Sequence, residues 1–277
     1  MVRTMKKFGK DPKKSIPFNF LFRGPPGTGK TTTIKKMGKI FYNMEFLATA
    51  NIIEYSATDL IGEYVGQIRP RVLKFLDKAL GRVLFIDKAY RLGKGHFSKE
   101  IMDKLVDFAT KDKYYKKFVI ILAGYTDNIN RLISTNAGLS SRFPKVIDFR
   151  SLNPPKCMDL FKNQFATKKS SLELKGIIID LTSFNLPAPD FSAAVMGIFA
   201  IIANQPNWAN ARDILTIAKK TFERTIRDKA GLAAKKLVIK SENILLELEV
   251  FNNKRAFRAI LIAVTGGLTG GILARDI

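Results

Sequence analysis

Eight consecutive residues carry the most chemistry in this chain: Gly24-Pro25-Pro26-Gly27-Thr28-Gly29-Lys30-Thr31. Their spacing, G-x-x-x-x-G-K-T, suits a loop whose backbone N–H groups turn inward around phosphate oxygens. Thr32, Thr33, Ile34 and Lys35 follow as a helix start, which brings the positive end of a helix dipole to the same place. A nucleoside triphosphate is the ligand such a loop takes. Lys30 would reach its β- and γ-phosphates, and the Thr31 hydroxyl would ligate Mg²⁺. A second group joins them at Asp87, the carboxylate that ends the apolar run Val83-Leu84-Phe85-Ile86. An acid delivered by a buried strand to its C-terminal edge is where open α/β sheets bind ligands, and Asp87 would hold the metal.

The elements that must position these groups alternate along the chain. Apolar runs at Phe18–Phe22, Ile52–Ser56, Val83–Asp87, Phe118–Ala123 and Val146–Phe149 read as strands, with helix-like segments between them. This order predicts an α/β fold, a five-stranded parallel sheet flanked by helices. Asn153-Pro154-Pro155 marks a boundary, after which the chain reads mostly as helices with a break at Asn185–Pro189. The expected division is a nucleotide-binding domain over 1–152, a small helical lid over 153–253 and a Gly-rich apolar tail over 254–277. A further helix is expected near Glu242–Phe251.

Bulk properties narrow the classes. The 277 residues carry 47 Lys and Arg against 24 Asp and Glu, a formal charge of +23. Such a field attracts polyanions without specificity, yet the cations are spread along the whole length. One cysteine, Cys157, excludes an internal disulfide, and one histidine, His96 beside Gly95, leaves almost no material for a His-based triad or metal site and reads as a loop residue. The first 14 residues lack the apolar core of a secretory leader, so the cytoplasm, or else the nucleus, is the expected compartment. Ala259 to Ala274 is uncharged and holds Gly266, Gly267, Gly270 and Gly271, but 16 residues fall short of a membrane span. No membrane partner is expected.

Taken in order, GPPGTGKT, VLFIDKAYRL, VIILAGYTDNINRL, NAGLSSRF and WANARDI resemble the CbxX/CfqX-type AAA+ ATPases. Rubisco activases of the red type and sporulation proteins belong to that group, as do modules found in tandem in large fungal proteins, which the chain resembles most. The resemblance covers about residues 10 to 250. It implies an AAA+ fold, ATP with Mg²⁺, and assembly into a homo- or hetero-oligomeric ring. It implies that Gly24, Pro25, Pro26, Gly27, Thr28, Gly29, Lys30, Thr31 and Thr32 contact nucleotide. Arg142 matches the arginine finger that reaches a neighbouring subunit's nucleotide, a task suited to a planar, permanent cation. Arg212 matches the sensor-2 arginine of the lid, Tyr125 sits near the sensor-1 position, and Gly62-Glu63-Tyr64-Val65-Gly66 resembles a pore loop whose Tyr64 grips a polypeptide. Trp208 is expected to pack near the start of the Arg212 helix.

The chain departs from that pattern beside Asp87. The family reads Asp-Glu, and this chain reads Asp87-Lys88. The glutamate polarises the water that attacks the γ-phosphate. An unperturbed lysine, with a pKa of about 10.4, is an ammonium at neutral pH and accepts no proton. Retained ATP binding with impaired hydrolysis is the expectation. Two alternatives stand beside it: an active remodelling ATPase in which another acid, such as Glu63, replaces the missing one, and a basic nucleic-acid-binding protein that uses the loop as a switch. Gln67-Ile68-Arg69-Pro70 and Lys94 depart from the family as well. Only 23 residues precede Gly24, so the N-linker that helps form the adenine pocket is expected to be truncated.

Overall fold

The structure, a computed structural model, describes residues 5, 7–57, 68–93, 96–174, 176–182, 189–205, 207–228 and 236–272. Five parallel strands form the main sheet: β1 (Asn19–Arg23), β2 (Ile52–Ser56), β3 (Val83–Asp87), β4 (Val119–Gly124) and β5 (Lys145–Asp148). Their order across the sheet is β2-β3-β4-β1-β5. The α/β architecture expected from the sequence is therefore present. Three strands sit one residue away from their apolar runs. The ladder sets those limits, with Arg23 paired to Gly124 and Phe20 to Lys145.

Alternate residues of each strand enter opposite cores, as the pleat requires. Leu21, Leu84, Ile86, Ile120 and Leu122 face one side. There they meet α2 (Ile68–Ala79), α3 (His96–Ala109) and α4 (Thr126–Thr135), through residues such as Leu76, Leu105 and Ile129. Phe20, Phe22, Phe85, Ile121 and Ala123 face the other side, against Ile34 and Phe41 of α1 (Lys30–Asn43). Phe22 and Phe85 are 0% and 2% exposed, and each contributes about 1.5–3 kcal/mol by leaving water. A six-residue helix, α5 (Ala137–Arg142), precedes β5, with Asn136 capping it through a hydrogen bond from the Leu139 N–H.

Contacts divide the chain into two units. One comprises Met1–Pro25 with Gly29–Arg150, and the other Ser151–Ile277 together with Pro26–Thr28. The second contains α6 (Pro154–Glu173), α7 (Pro189–Ala203), α8 (Ala211–Arg227) and α9 (Ser241–Ile272). Phe161, Phe165, Phe199, Ile202, Ile217 and Leu248 form its core. Asn153 caps α6 by accepting the Lys156 N–H, and Pro154 stands at a first-turn position where no amide is needed. A reading of this region as helices alone is incomplete. β6 (Ile178–Asp180) and β7 (Lys236–Val238) pair in parallel as a two-stranded sheet. The last helix runs well past the stretch expected for it, to Ile272. Among the described residues no helix is long and apolar enough to cross a membrane. The break expected at Asn185–Pro189 lies, up to residue 188, outside the described residues.

Candidate nucleotide-binding site

The loop 24–29 joins the end of β1 to the start of α1. Its entry is fixed by close backbone approach. The Gly24 N–H donates to the Gly124 carbonyl at 3.2 Å, which ties the loop to the end of β4. Gly24 has φ +149°, and a Cβ there would lie 2.1 Å from the Phe149 carbonyl oxygen. No side chain fits at that position. Lys30 curls back over the loop, its ammonium donating to the carbonyls of Gly24 and Pro25, each at 2.8 Å.

Gly29 is the N-cap of α1, and no side chain caps that helix. Its first turn carries no acidic residue, while Thr31 and Thr32 are exposed. A Cβ placed on Gly29 would meet nothing within 4 Å. The donor set is therefore uncapped amides, two hydroxyls and an ammonium at an open helix N-terminus of 14 residues. That set fits a polyphosphate.

Asp87 is the last residue of β3, half-buried and in register with Ser56. Because β4 alone separates β3 from β1, the ends of these two strands stand roughly 10 Å apart across the sheet. Lys88 follows with φ 52°, a left-handed backbone that an L side chain adopts at about 1–2 kcal/mol. Its carbonyl accepts the Arg91 N–H at 2.9 Å and so starts the short 3₁₀ turn Ala89–Gly93. The Lys88 side chain is exposed. Among the described residues no cluster of three His, Cys, Asp or Glu could hold a metal by itself. Any divalent cation here would be shared between Thr31, Asp87 and a phosphate.

Tyr125 caps α4 immediately after β4, 46% exposed, with its ring 6.2 Å from that of Tyr90. The ends of β1, β3 and β4 thus bring Gly24, Asp87 and Tyr125 to one edge of the sheet. Arg142 is at the other edge. The Asn19 side-chain amide donates to its carbonyl at 2.8 Å, and Asn19 begins β1. The Arg142 guanidinium reaches the Gly138 carbonyl at 3.3 Å and stands 4.0 Å from Asp107. Arg212 opens α8 in the second unit and is exposed. Tyr64, Glu63, Gln67 and Lys94 lie outside the described residues, while Arg69 and Pro70 are exposed in the first turn of α2.

Three features escaped the sequence reading. Arg23, directly before Gly24, pairs with Asp148 and donates to the Asn130 side chain at 2.6 Å. Hydrogen bonding from that guanidinium holds the Asp148 carboxyl below the usual carboxylate range. Tyr90, within VLFIDKAYRL, was not singled out. Asn210 is fully buried in the second unit with φ 52° and ψ −122°. Its side chain accepts the Leu152 N–H at 2.8 Å and donates to the Pro26 carbonyl at 3.0 Å. The Ala211 N–H donates to the Gly27 carbonyl at 3.1 Å in the same unit. These two bonds engage the carbonyls of Pro26 and Gly27. The motif WANARDI held the only signal for this role, an Asn two places before the arginine.

Comparison with known proteins agrees with this geometry. The sequence model of the family described as "ATPase family associated with various cellular activities (AAA)" matches residues 20–151. Stage V sporulation protein K of Bacillus subtilis is 39% identical over 157 residues, which cover 56% of this chain and 48% of that protein. ESX-1 secretion system protein EccA1 of Mycobacterium tuberculosis is 36% identical over 160 residues, 56% of this chain and 28% of that protein. Protein CfxQ of Xanthobacter flavus is 30% identical over 195 residues, 70% of this chain and 57% of that protein. The chain therefore spans about half or less of the length of these relatives. AAA proteins bind nucleotide and commonly assemble into rings. Residues 20–151 are an AAA ATPase domain, and the chain is a relative of the CfxQ-type proteins.

Proposed function

We propose that this chain binds ATP with Mg²⁺ in the loop Gly24–Thr32 and hydrolyses it far more slowly than an intact member of its family. The exposed, left-handed Lys88 beside Asp87 carries this reading. Lys30 balances phosphate charge, and the amides opening α1 donate to phosphate oxygens. Thr31 and Asp87 are the ligands of the cation, directly or through its water shell. Bound Mg²⁺ would supply neutralisation of charge between the β- and γ-phosphates. An ammonium has three donors and no acceptor, so Lys88 takes no proton from water. It adds a positive charge near the triphosphate, which favours retention. Tyr125 sits near the sensor-1 position, and Arg212 would be the lid contact to phosphate. Arg142 would serve a neighbouring subunit in a ring, which the opposite edge it occupies supports. A polypeptide gripped by Tyr64 is the substrate class this reading carries.

Nucleotide affinity and steady-state phosphate release, measured together on the chain, Lys30→Ala and Lys88→Glu, test the proposal. Binding lost in Lys30→Ala and turnover gained in Lys88→Glu support it. Turnover by the unaltered chain that Lys30→Ala abolishes would defeat the claim of impaired hydrolysis alone. Binding indifferent to Lys30→Ala would defeat the site.

A further inference from the structure

A cavity of about 420 Å³ opens at the edge of the main sheet opposite the phosphate loop. It lies among the starts of β1 and β5 and the residue before β4, entirely within the first unit. Buried Phe18, Ala109, Phe118 and Ile120 give it an apolar wall. Four cations line it, Lys14, Lys116, Arg142 and Lys145, and among the described residues no carboxylate does. The Tyr115 ring, 55% exposed, stands at its side with the Lys116 ammonium 5.3 Å from the ring centre.

One of these cations is tethered, and another has an unused buried donor. The Lys116 ammonium donates to the Lys13 carbonyl at 2.7 Å and the Lys14 carbonyl at 3.1 Å, which fastens the turn Pro12–Lys14 beside the cavity. The Arg142 Nε is buried, and among the described residues it donates to no acceptor. A buried donor without a partner is unfavourable, and the four like charges repel one another, offset in part by Asp107 at 4.0 Å from the Arg142 guanidinium. An anionic oxygen is the group this space lacks.

We propose that this cavity binds a small organic anion, one phosphate or carboxylate group carried on a flat apolar body. The volume falls within the roughly 300–1,000 Å³ usual for small-molecule sites, and the wall combines apolar area with a few polar groups as such sites do. The body packs against Phe18, Phe118 and the Tyr115 ring while the anionic group meets the cations. The proposal is independent of nucleotide at the phosphate loop. Five strand residues at about 3.3 Å each put the two sites on the order of 15 Å apart.

Phenyl phosphate is the probe, titrated into the full chain by calorimetry. It should saturate, and bind at least about ten-fold more tightly than inorganic phosphate or phenol. Lys30→Ala should leave that affinity unchanged. Lys14→Glu combined with Lys145→Glu, both exposed positions, should weaken it about ten-fold or more at unchanged thermal unfolding. Thr110→Trp, at an exposed residue of the lining, should weaken it similarly by filling the space. Inorganic phosphate binding as well as phenyl phosphate overturns the proposal, since general attraction to a chain of +23 charge gives that result. Absence of saturable binding, loss on Lys30→Ala, or binding unaltered in both lining variants overturns it too.

Discussion

The Phe149 carbonyl oxygen sits 2.1 Å from the point where a Cβ on Gly24 would stand. The end of β5 therefore closes on the first residue of the phosphate loop, and backbone packing sets the loop's entry. Gly24→Ala should push the two apart and disorder the loop. A loss of about 1–3 kcal/mol in urea-unfolding stability is expected, with nucleotide affinity down at least ten-fold. Gly29→Ala, at φ +95° but with nothing within 4 Å of its Cβ, should lose less stability, through backbone strain alone. Equal stability losses would show that the Phe149 contact does not matter.

Lys88→Glu restores a proton acceptor after Asp87. General-base groups contribute about 10²–10⁴-fold, so phosphate release should rise by at least about 10² while nucleotide affinity falls or stays level. A stopped assay for released phosphate with parallel binding curves reads both quantities. No rise would mean that more than this one residue is missing.

Glu247 is 5% exposed and receives the Arg224 Nε at 2.6 Å, which joins α8 to α9. Removing the acid leaves Arg224, 29% exposed, with a half-buried charge. Glu247→Ala should lower stability by about 1–3 kcal/mol, and Glu247→Gln, which keeps an acceptor, by less. Chemical unfolding followed by Trp208 fluorescence in the second unit measures it.

Cys157 is fully buried, and burial pushes its thiol up to about 11 from about 9. A thiol whose folded pKa is raised supports the fold fully below pH 9 and withdraws that support as pH climbs toward 11. Stability should therefore fall across pH 9 to 11 by more in the unaltered chain than in Cys157→Ala. Native protein at pH 8 should react with a disulfide reagent only as fast as its second unit opens. Rapid labelling would contradict the burial.

Asp180 behaves oppositely. Hydrogen bonds from Thr182, side chain and backbone, and then Lys236 hold its carboxyl at about 2. A depressed carboxyl supports the fold above its unfolded pKa and loses that support as pH falls from about 4 to 2. Because the group is partly exposed, with its side chain 24% accessible, the effect is small and screened by salt. Acid unfolding of Asp180→Asn should begin without this contribution, giving a flatter limb between pH 4 and 2.

The three central strands, β1, β3 and β4, were legible because they are mostly buried and read as near-continuous apolar runs, while the edge strands β2 and β5 are only partly buried or exposed. Val83–Asp87 and Ile52–Ser56 were placed to the residue. The loop was legible because glycine and lysine at fixed spacing serve a local purpose. What stayed hidden depends on distant partners. β6 and β7 are three residues each, and neither reads as a strand without the other 58 positions away. Asn210 holds its strained backbone only because Leu152 and Pro26 reward its side chain. The left-handed turn at Lys88 follows from the 3₁₀ segment after β3, not from lysine itself. The length of α9 was not legible, since the expected helix near Glu242–Phe251 covers only part of its run to Ile272.

The strand order has a consequence for biosynthesis. β1 lies between β4 and β5, so the strand that delivers Gly24 leaves the ribosome with neither neighbour yet made. Arg23 waits 125 positions for its partner Asp148. At about 5–20 residues per second, that is roughly 6–25 s during which Phe18, Phe20 and Phe22 hang exposed on a nascent chain. Chaperones that shield apolar segments would find a task here, well before a nucleotide could help hold the domain together.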